Sequence, residues 1–433
     1  MNYVEYEKNN CLGPHNKMDL VMNTLTIELV RSWANEYGDA FYILDTDAFR
    51  RNYQELLGEF TRIYNKTSLA YSYKTNYIPK LCKMVNLLGG YAEVVSRMEY
   101  DLAVEIGVPP NKIIFNGPYK KMEDLERALL AGALVNLDSS YELEYIRTIA
   151  KKSPTKKLKV GLRCNFDIGE KKVSRFGFDV EGGEFTNIID ELKSIKNCII
   201  CGIHCHFSTS HRSVESYIRR TRSMLEIANA YFNRDQLRYI NIGGGFFGKL
   251  SLSLKKQFNN PAPSYRDYAN SIADQFARRF EKGDRPKLIL EPGTAVAADT
   301  MYFVCKVIEL KTIRSREVAL VTGNIYNIKP TLNDINLPIR VLSSEAFETD
   351  SKKTVDIVGT TCKEDDCLYK GFKGILSHGD YIVFSNVGAY TIVLNPPFIH
   401  PCPPVLEYDA GTEKIKVIKR QESLKDVFTT YTL

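Results

Sequence analysis

The chain has 433 residues, 44% of them hydrophobic and 25% charged, the make-up of a globular protein with room for two domains rather than of a disordered or fibrous chain. Its net charge of +6 is spread along the sequence, and the one dense basic run, Lys151–Lys152–Ser153–Pro154–Thr155–Lys156–Lys157, sits between a helical pattern and an apolar strand, so it reads as a solvated loop and no nucleic-acid partner is expected. Neither an N-terminal signal nor a membrane-spanning run is visible, so the ten cysteines are expected to be reduced thiols of a cytoplasmic protein, with no membrane partner.

The first forty residues are mixed and polar and carry no firm reading. Phe41–Leu44 is a short apolar strand, and Thr46 to Tyr64 places Phe49, Tyr53, Leu56, Leu57 and Phe60 at helical spacing, with Thr46 or Asp47 as N-cap. A regular rhythm follows. Strands are expected at Ser68–Tyr73, Tyr91–Val95, Ile113–Asn116, Leu134–Leu137, Lys159–Cys164, Ile199–Phe207, Tyr239–Ile242 and Lys287–Leu290. Helical patterns separate most of them, among them Met122–Ala131, Ser140–Ala150, Ser213–Phe232 and Tyr265–Phe280. This alternation predicts an α/β fold built on a (β/α)8 barrel over residues 46–290. After Glu291 the pattern changes to strands with Gly, Asp and Asn turns: Met301–Ile313, Glu317–Val321, Ile339–Leu342, Thr354–Val358, Tyr381–Phe384 and Ile415–Val417. Residues 1–45 and 291–433 are therefore assigned to a second, mainly β domain.

Four landmarks end apolar runs: Lys74, His206, the triple glycine Gly243–Gly244–Gly245, and Glu291 in Glu291–Pro292–Gly293. In a (β/α)8 barrel the ends of the strands form the active-site face, so all four map to one mouth. A lysine to hold the cofactor, a flat imidazole, a phosphate-binding loop and a carboxylate for a pyridine nitrogen are the parts of a pyridoxal phosphate site. Each has a plain structural reading when taken alone: a surface lysine, a packed histidine, a tight turn, a capping carboxylate. Gly243, Gly245 and Gly248 match G-x-G-x-x-G, but late in the chain and with no clear helix after them, so a dinucleotide site is not inferred; bare backbone there still suits an anion. His204 and His206 alternate and are expected to share one face of a strand, one facing a cofactor ring and the other packed and hydrogen-bonded; no third ligand at recognisable spacing makes them a metal pair. The one CxxC spacing, Cys198–Ile199–Ile200–Cys201, has no second pair and reads as packing. Cys362 lies in an acid-rich loop, which suits a proton donor better than a nucleophile.

Together these motifs resemble the fold-type III pyridoxal-phosphate-dependent decarboxylases, the group of diaminopimelate and ornithine decarboxylases, from about Phe41 to Pro404. Tyr71–Ser72–Tyr73–Lys74–Thr75–Asn76 is similar to the family's Y-x-x-K-x-N motif, which implies that Lys74 is the Schiff-base lysine. The resemblance further implies that Glu93 and Ser96 lie near the cofactor, that His206 stacks on its ring, and that Glu291 binds the pyridine nitrogen. Gly243, Gly244 and Gly245, with Thr209 and Tyr390, fall at phosphate-binding positions. The family's G-S after the histidine is Ser208–Thr209 here, a departure that removes a loop glycine. Cys362 and Asp366 match the C-x-x-x-D motif that the family supplies from the partner subunit, so a homodimer with shared sites is implied.

Three departures bear on substrate. The family's E-P-G-R carries Thr294 in the last place, its later R-P corresponds to Lys329–Pro330, and the acidic residue after the catalytic cysteine is Lys363. Lysines at these distal positions are expected to repel a substrate ammonium and to favour an anionic or polar distal group, as in carboxylate-siderophore and other specialised pathways. The leading expectation is thus an amino-acid decarboxylase, with diaminopimelate, ornithine or lysine as alternative substrates; an amino-acid racemase or a catalytically dead regulatory homologue are the alternatives in kind. A carboxylate rather than an arginine at Glu291 argues against the racemase, and retention of the whole set argues against the dead homologue.

Overall fold

The computed structural model describes residues 20–209, 211–233, 235–281, 285–344 and 353–432. These form two compact units. One takes the described residues of Asp47–Asp299 together with Gly388–Val393; the other takes those up to Thr46, of Thr300–Val387, and from Leu394 onward. The first unit thus runs past the boundary drawn from the sequence at residue 290 and includes a later segment that carries Tyr390.

The first unit is a closed barrel of parallel strands: β1 (Thr67–Ser72), β2 (Tyr91–Val94), β3 (Ile113–Phe115), β4 (Leu134–Leu137), β5 (Leu158–Asn165), β6 (Cys198–His204), β7 (Tyr239–Asn241) and β8 (Lys287–Leu290). Each pairs in parallel with its neighbours, β8 returns to β1, and β4 closes onto β5. The apolar runs are strands because β-branched and aromatic side chains fill both faces, inward to the barrel and outward to the helices. The lower interior packs Ala70, Tyr91, Ile114, Cys201, Tyr239 and Ile289, so Cys201 of the CxxC spacing is a core residue.

Local signals set the helices between strands. Ser213 caps Val214–Tyr231 through the Ser216 amide, and Ser264 and Asp267 form a reciprocal capping box on Tyr265–Arg279. Gly132, left-handed at φ 90°, ends Met122–Ala131. The loop after β3 is tied to the helix that follows β4, Glu142–Lys152, by a fully buried ion pair, Lys120 Nζ to Glu142 Oε1 at 2.9 Å. The other oxygen of Glu142 accepts from the Asp138 and Ser139 amides, which provides the hydrogen bonds that a buried charge requires.

The second unit is the mainly β domain. Ala40–Leu44 lies between Met301–Ile313 and Val405–Asp409, and the helix Ile27–Tyr37 packs Val30, Trp33 and Ala34 against Phe41, Ile43 and Tyr302. Strands Cys367–Gly374 and Val405–Asp409 were not expected from the sequence. The first carries Gly371 and two lysines three positions apart, Lys370 and Lys373, which blur the period of two. Among the described residues, no helix is long and apolar enough to cross a membrane.

Candidate active site

Parallel strands place all their C-terminal ends at one mouth of the barrel. Lys74 lies one turn past β1, Glu93 within β2, Asn116 just after β3, Arg163 near the end of β5, His206 after β6, Asn241 and the glycine loop at β7, and Glu291 directly after β8.

Lys74 Nζ meets Glu93 Oε2 at 2.5 Å and Ser72 Oγ at 2.6 Å, and the Ser72 hydroxyl donates to the same carboxylate oxygen. The Lys74 side chain is 34% exposed and that of Glu93 1%. Burial works against charge on Lys74, but Glu93 and, behind it, Glu291 outweigh burial and raise its pKa. Glu291 is buried, and Oε1 accepts from the side-chain amides of Asn116 and Asn241, each at 2.7 Å, while Oε2 lies 3.3 Å from His204 Nε2. Burial pushes Glu291 up; the nearby His204, Lys74 and His206 outweigh it and hold the carboxyl well below the usual carboxylate range. Asn116 Nδ2 also donates to Glu93 Oε1 at 3.0 Å, so one amide bridges both carboxylates. Below it, Asn136 Nδ2 donates to Asn116 Oδ1 and the Tyr239 hydroxyl to Asn136 Oδ1, which orients the bridging amide.

The strand expected to run through Phe207 ends at His204. His204 and His206 therefore do not alternate on one strand: His204 points to Glu291, and His206 sits in the following loop. The reason is close approach, since a Cβ on Gly243 would meet the Cys205 carbonyl at 2.3 Å and one on Gly244 would meet the Glu291 carbonyl at 2.0 Å. His206 Nδ1 accepts from the Gly244 amide at 3.0 Å, which leaves Nε2 to carry the proton of the neutral ring. Its main-chain carbonyl is held by Arg163, itself paired to Asp138 at 2.7 Å.

Gly243 and Gly245 adopt φ 73° and 90°, a backbone that favours glycine. Tyr390, at φ 65°, donates its amide to the Thr75 carbonyl beside Lys74. Thr209 is half-buried in the loop after His206, and Thr294 opens the short helix Thr294–Ala297. Ser96 caps the helix Arg97–Glu105 by accepting from the Glu99 amide at 3.2 Å. An amine, an ionised buried carboxylate, a flat neutral imidazole and a side-chain-free loop fit pyridoxal phosphate. The glycines in particular leave no room for a side chain, since a Cβ on Gly243 or Gly244 would run into the carbonyl of Cys205 or Glu291.

Cys362, Lys363, Asp366 and Lys329 belong to the second unit. Cys362 is exposed. Lys363 Nζ lies 3.3 Å from Asp365 and 5.5 Å from the Tyr326 ring centre. Asp366 spends its oxygens within its own unit, accepting from the Ile325 amide and from the amide and hydroxyl of Thr361. Lys329 is only 4% exposed, and burial lowers its pKa.

Residues that the sequence reading missed are Asn116, Asn136, Asn241, Arg163 and the Glu291 contact of His204. The usable signal was a polar residue closing an apolar run, as in Ile113–Ile114–Phe115–Asn116 and Tyr239–Ile240–Asn241.

Residues 47–298 match the family model for the pyridoxal-dependent decarboxylases, pyridoxal binding domain. The chain belongs to this family: it is a pyridoxal-phosphate-dependent carboxy-lyase. It is similar to diaminopimelate decarboxylase of Aquifex aeolicus, 24% identical with 91% of this chain and 92% of that protein covered, and to that of Methanocaldococcus jannaschii, 26% identical with 83% of each covered. The crystal structure of the M. jannaschii protein with L-lysine superposes with a TM-score of 0.82 at 24% identity over 93% of this chain and 94% of that one, which establishes the alanine-racemase-like fold.

A pH effect follows from His206. Burial, with Lys74 beside it, keeps its imidazole well below the usual histidine range. The unfolded chain takes up that proton near pH ~6.5 and the folded chain only at lower pH, so the unfolded state binds more protons in this window and stability falls as pH drops through it. The melting temperature is expected to decline more steeply from about pH 7 to about pH 5 in the wild type than in His206→Gln. Parallel curves would mean that the imidazole is not held dry.

Proposed function

We propose that this chain removes the α-carboxylate of an amino acid of the diaminopimelate class. The observation that carries this reading is Asn116, whose single amide bridges the carboxylate that holds Lys74 and the carboxylate at the end of β8. It ties the amine-bearing side of the site to a buried carboxylate held well below the usual carboxylate range.

When bound, pyridoxal phosphate supplies an electron sink for the pair left behind by CO2. Lys74 is the covalent anchor, and Glu93 holds its proton until the amine is needed. Glu291 would favour a protonated pyridine nitrogen, a role that its ionised carboxylate, held by the amides of Asn116 and Asn241, supports. His206 offers the face of a neutral ring. Gly243, Gly244 and Gly245, with Thr209 and Tyr390, would hold the phosphate, and Glu93 and Ser96 would lie near the cofactor. Cys362, exposed on the second unit, is the proton donor to the substrate carbon, delivered from the partner subunit of a cytoplasmic homodimer; Thr294, Lys329, Lys363 and Asp366 belong to the substrate end.

Diaminopimelate is favoured as substrate by the relatives named above. A second reading, an amino acid with an anionic distal appendage, rests on Lys363 beside Cys362, where the sequence argument anticipated repulsion of an ammonium. The Asp365 partner at 3.3 Å already answers part of that charge, which weakens the repulsion and ranks diaminopimelate first. CO2 release should be compared for diaminopimelate, lysine, ornithine and polycarboxylate-bearing amino acids, in wild type and Lys363→Glu. Diaminopimelate is expected to lead by at least about tenfold, a difference of ~1.4 kcal/mol, and Lys363→Glu, which removes the like charge facing its distal ammonium, to leave its turnover equal or higher while lowering that of polyanionic substrates. Release from polyanionic substrates alone would move the assignment to the second reading. Lysine or ornithine as the best substrate would sink both.

A further inference from the structure

Arg220, on the helix Val214–Tyr231, is fully buried. Its Nη2 donates to Ser216 Oγ at 3.1 Å. Its Nε and Nη1 have no hydrogen-bond partner among the described residues. The guanidinium lies 4.1 Å from the ring centre of Tyr217 and 5.9 Å from that of Phe207. Such contacts return only part of what burying a cation costs, and a buried charge without a counter-charge is not retained for stability.

What surrounds Arg220 leads to the glycine loop. The Tyr217 hydroxyl donates to the Gly244 carbonyl at 2.9 Å and lies close against Gly245, where a Cβ would sit only 3.3 Å away. The Tyr217 ring stacks on Phe246, the residue after the loop, at 4.7 Å and 18°. One aromatic ring thus separates the guanidinium from the backbone that would cradle an anion. The other arginine at this loop, Arg212, is half-buried and gives its Nη1 to the Phe246 carbonyl at 3.3 Å, where water screens its charge.

We infer that Arg220 is a built-in counter-charge for the phosphate group of the cofactor: a positioning residue that raises the loop's affinity for a phosphate monoester through its field and through Tyr217, without touching the ligand. This rests on the assignment of Gly243–Gly245 as the phosphate loop. A desolvated charge acts over such a distance because little water intervenes.

The test is equilibrium binding of pyridoxal phosphate and of pyridoxal, which lacks the phosphate, to cofactor-stripped wild type, Arg220→Lys and Arg220→Met, with thermal melts in the presence and absence of inorganic phosphate. Arg220→Met is expected to weaken pyridoxal phosphate by about tenfold and to leave pyridoxal within about twofold, with Arg220→Lys recovering most of the loss. The stripped Arg220→Met protein should melt no lower than wild type, since an uncompensated charge is gone, while its stabilisation by inorganic phosphate shrinks. Equal losses for both ligands, or an unchanged affinity for pyridoxal phosphate, would overturn the proposal in favour of plain packing. If Arg220→Met does not fold, Arg220→Gln, which can keep the Ser216 contact, is read by the same criteria. A wild-type protein that binds pyridoxal and pyridoxal phosphate equally well has no phosphate loop at Gly243–Gly245, and that result overturns the underlying assignment instead.

Discussion

Replacing Lys74 by alanine is expected to remove the visible absorbance of the cofactor-loaded protein and to lower turnover by about 10³-fold or more. The loss of one positioned acid–base group costs about 10² to 10⁴, and here the covalent anchor goes with it. The fold should survive. Glu93 keeps the Ser72 hydroxyl and Asn116 Nδ2, and the lysine is the most exposed member of the cluster. Lys74→Arg should behave like alanine in activity, because a guanidinium keeps the ion pair with Glu93 but cannot be deprotonated to react. Absorbance and CO2 release of the purified variants decide the matter. A Lys74→Ala protein that retains both would place the anchor on another residue.

Glu291→Gln should leave the cofactor bound and reduce turnover by about 10²- to 10³-fold, the range seen when a preorganised electrostatic group is neutralised. The local hydrogen bonds make this substitution more than a loss of charge. Asn116 and Asn241 both present donors to Oε1 at 2.7 Å, so a glutamine must turn its oxygen toward them and its amide nitrogen toward His204. His204 Nε2 would then have to accept, which moves its proton to Nδ1, an atom without a partner among the described residues. The variant is thus expected to lose some stability as well as turnover, and Asn241→Asp should lose turnover too by setting a second carboxylate beside Glu291. Single-turnover CO2 release, measured beside cofactor affinity, separates the effects. Full activity in Glu291→Gln would remove the carboxylate from the electron-sink role; complete loss of cofactor would make it a structural residue.

How much could be read in the chain differs between the two units. Parallel barrel strands are buried on both faces and so appear as continuous apolar runs, which is why Leu134–Leu137 and Lys287–Leu290 were legible to the residue. The landmarks were legible for a related reason: a lysine, a glycine run or a glutamate that closes such a run is conspicuous. In the second unit, Cys367–Gly374 is half-exposed and interrupted by Gly371, so no period marks it. His206 was placed on a strand because alternation looks the same whether or not the chain has already peeled away to admit Gly243.

The sequence by itself determined the parts: strand–helix order, an amine after β1, a carboxylate after β8, bare backbone after β7, and a lysine following Cys362. These are local properties, carried by residue type and by position within a run. Only the tertiary structure decided how the parts are wired. Asn116 and Glu291 are 175 positions apart, as are Asn136 and Tyr239 by 103, and closure of the barrel brings each pair into hydrogen-bond contact. It likewise decided that His204 rather than His206 meets Glu291, that Tyr390 returns to stand beside Thr75, and that Arg220 is left buried behind the glycine loop. The physical reason is the same in each case. A buried polar group must find partners inside the fold, and which partners lie within reach is set by strand register and barrel closure rather than by any neighbour in the chain.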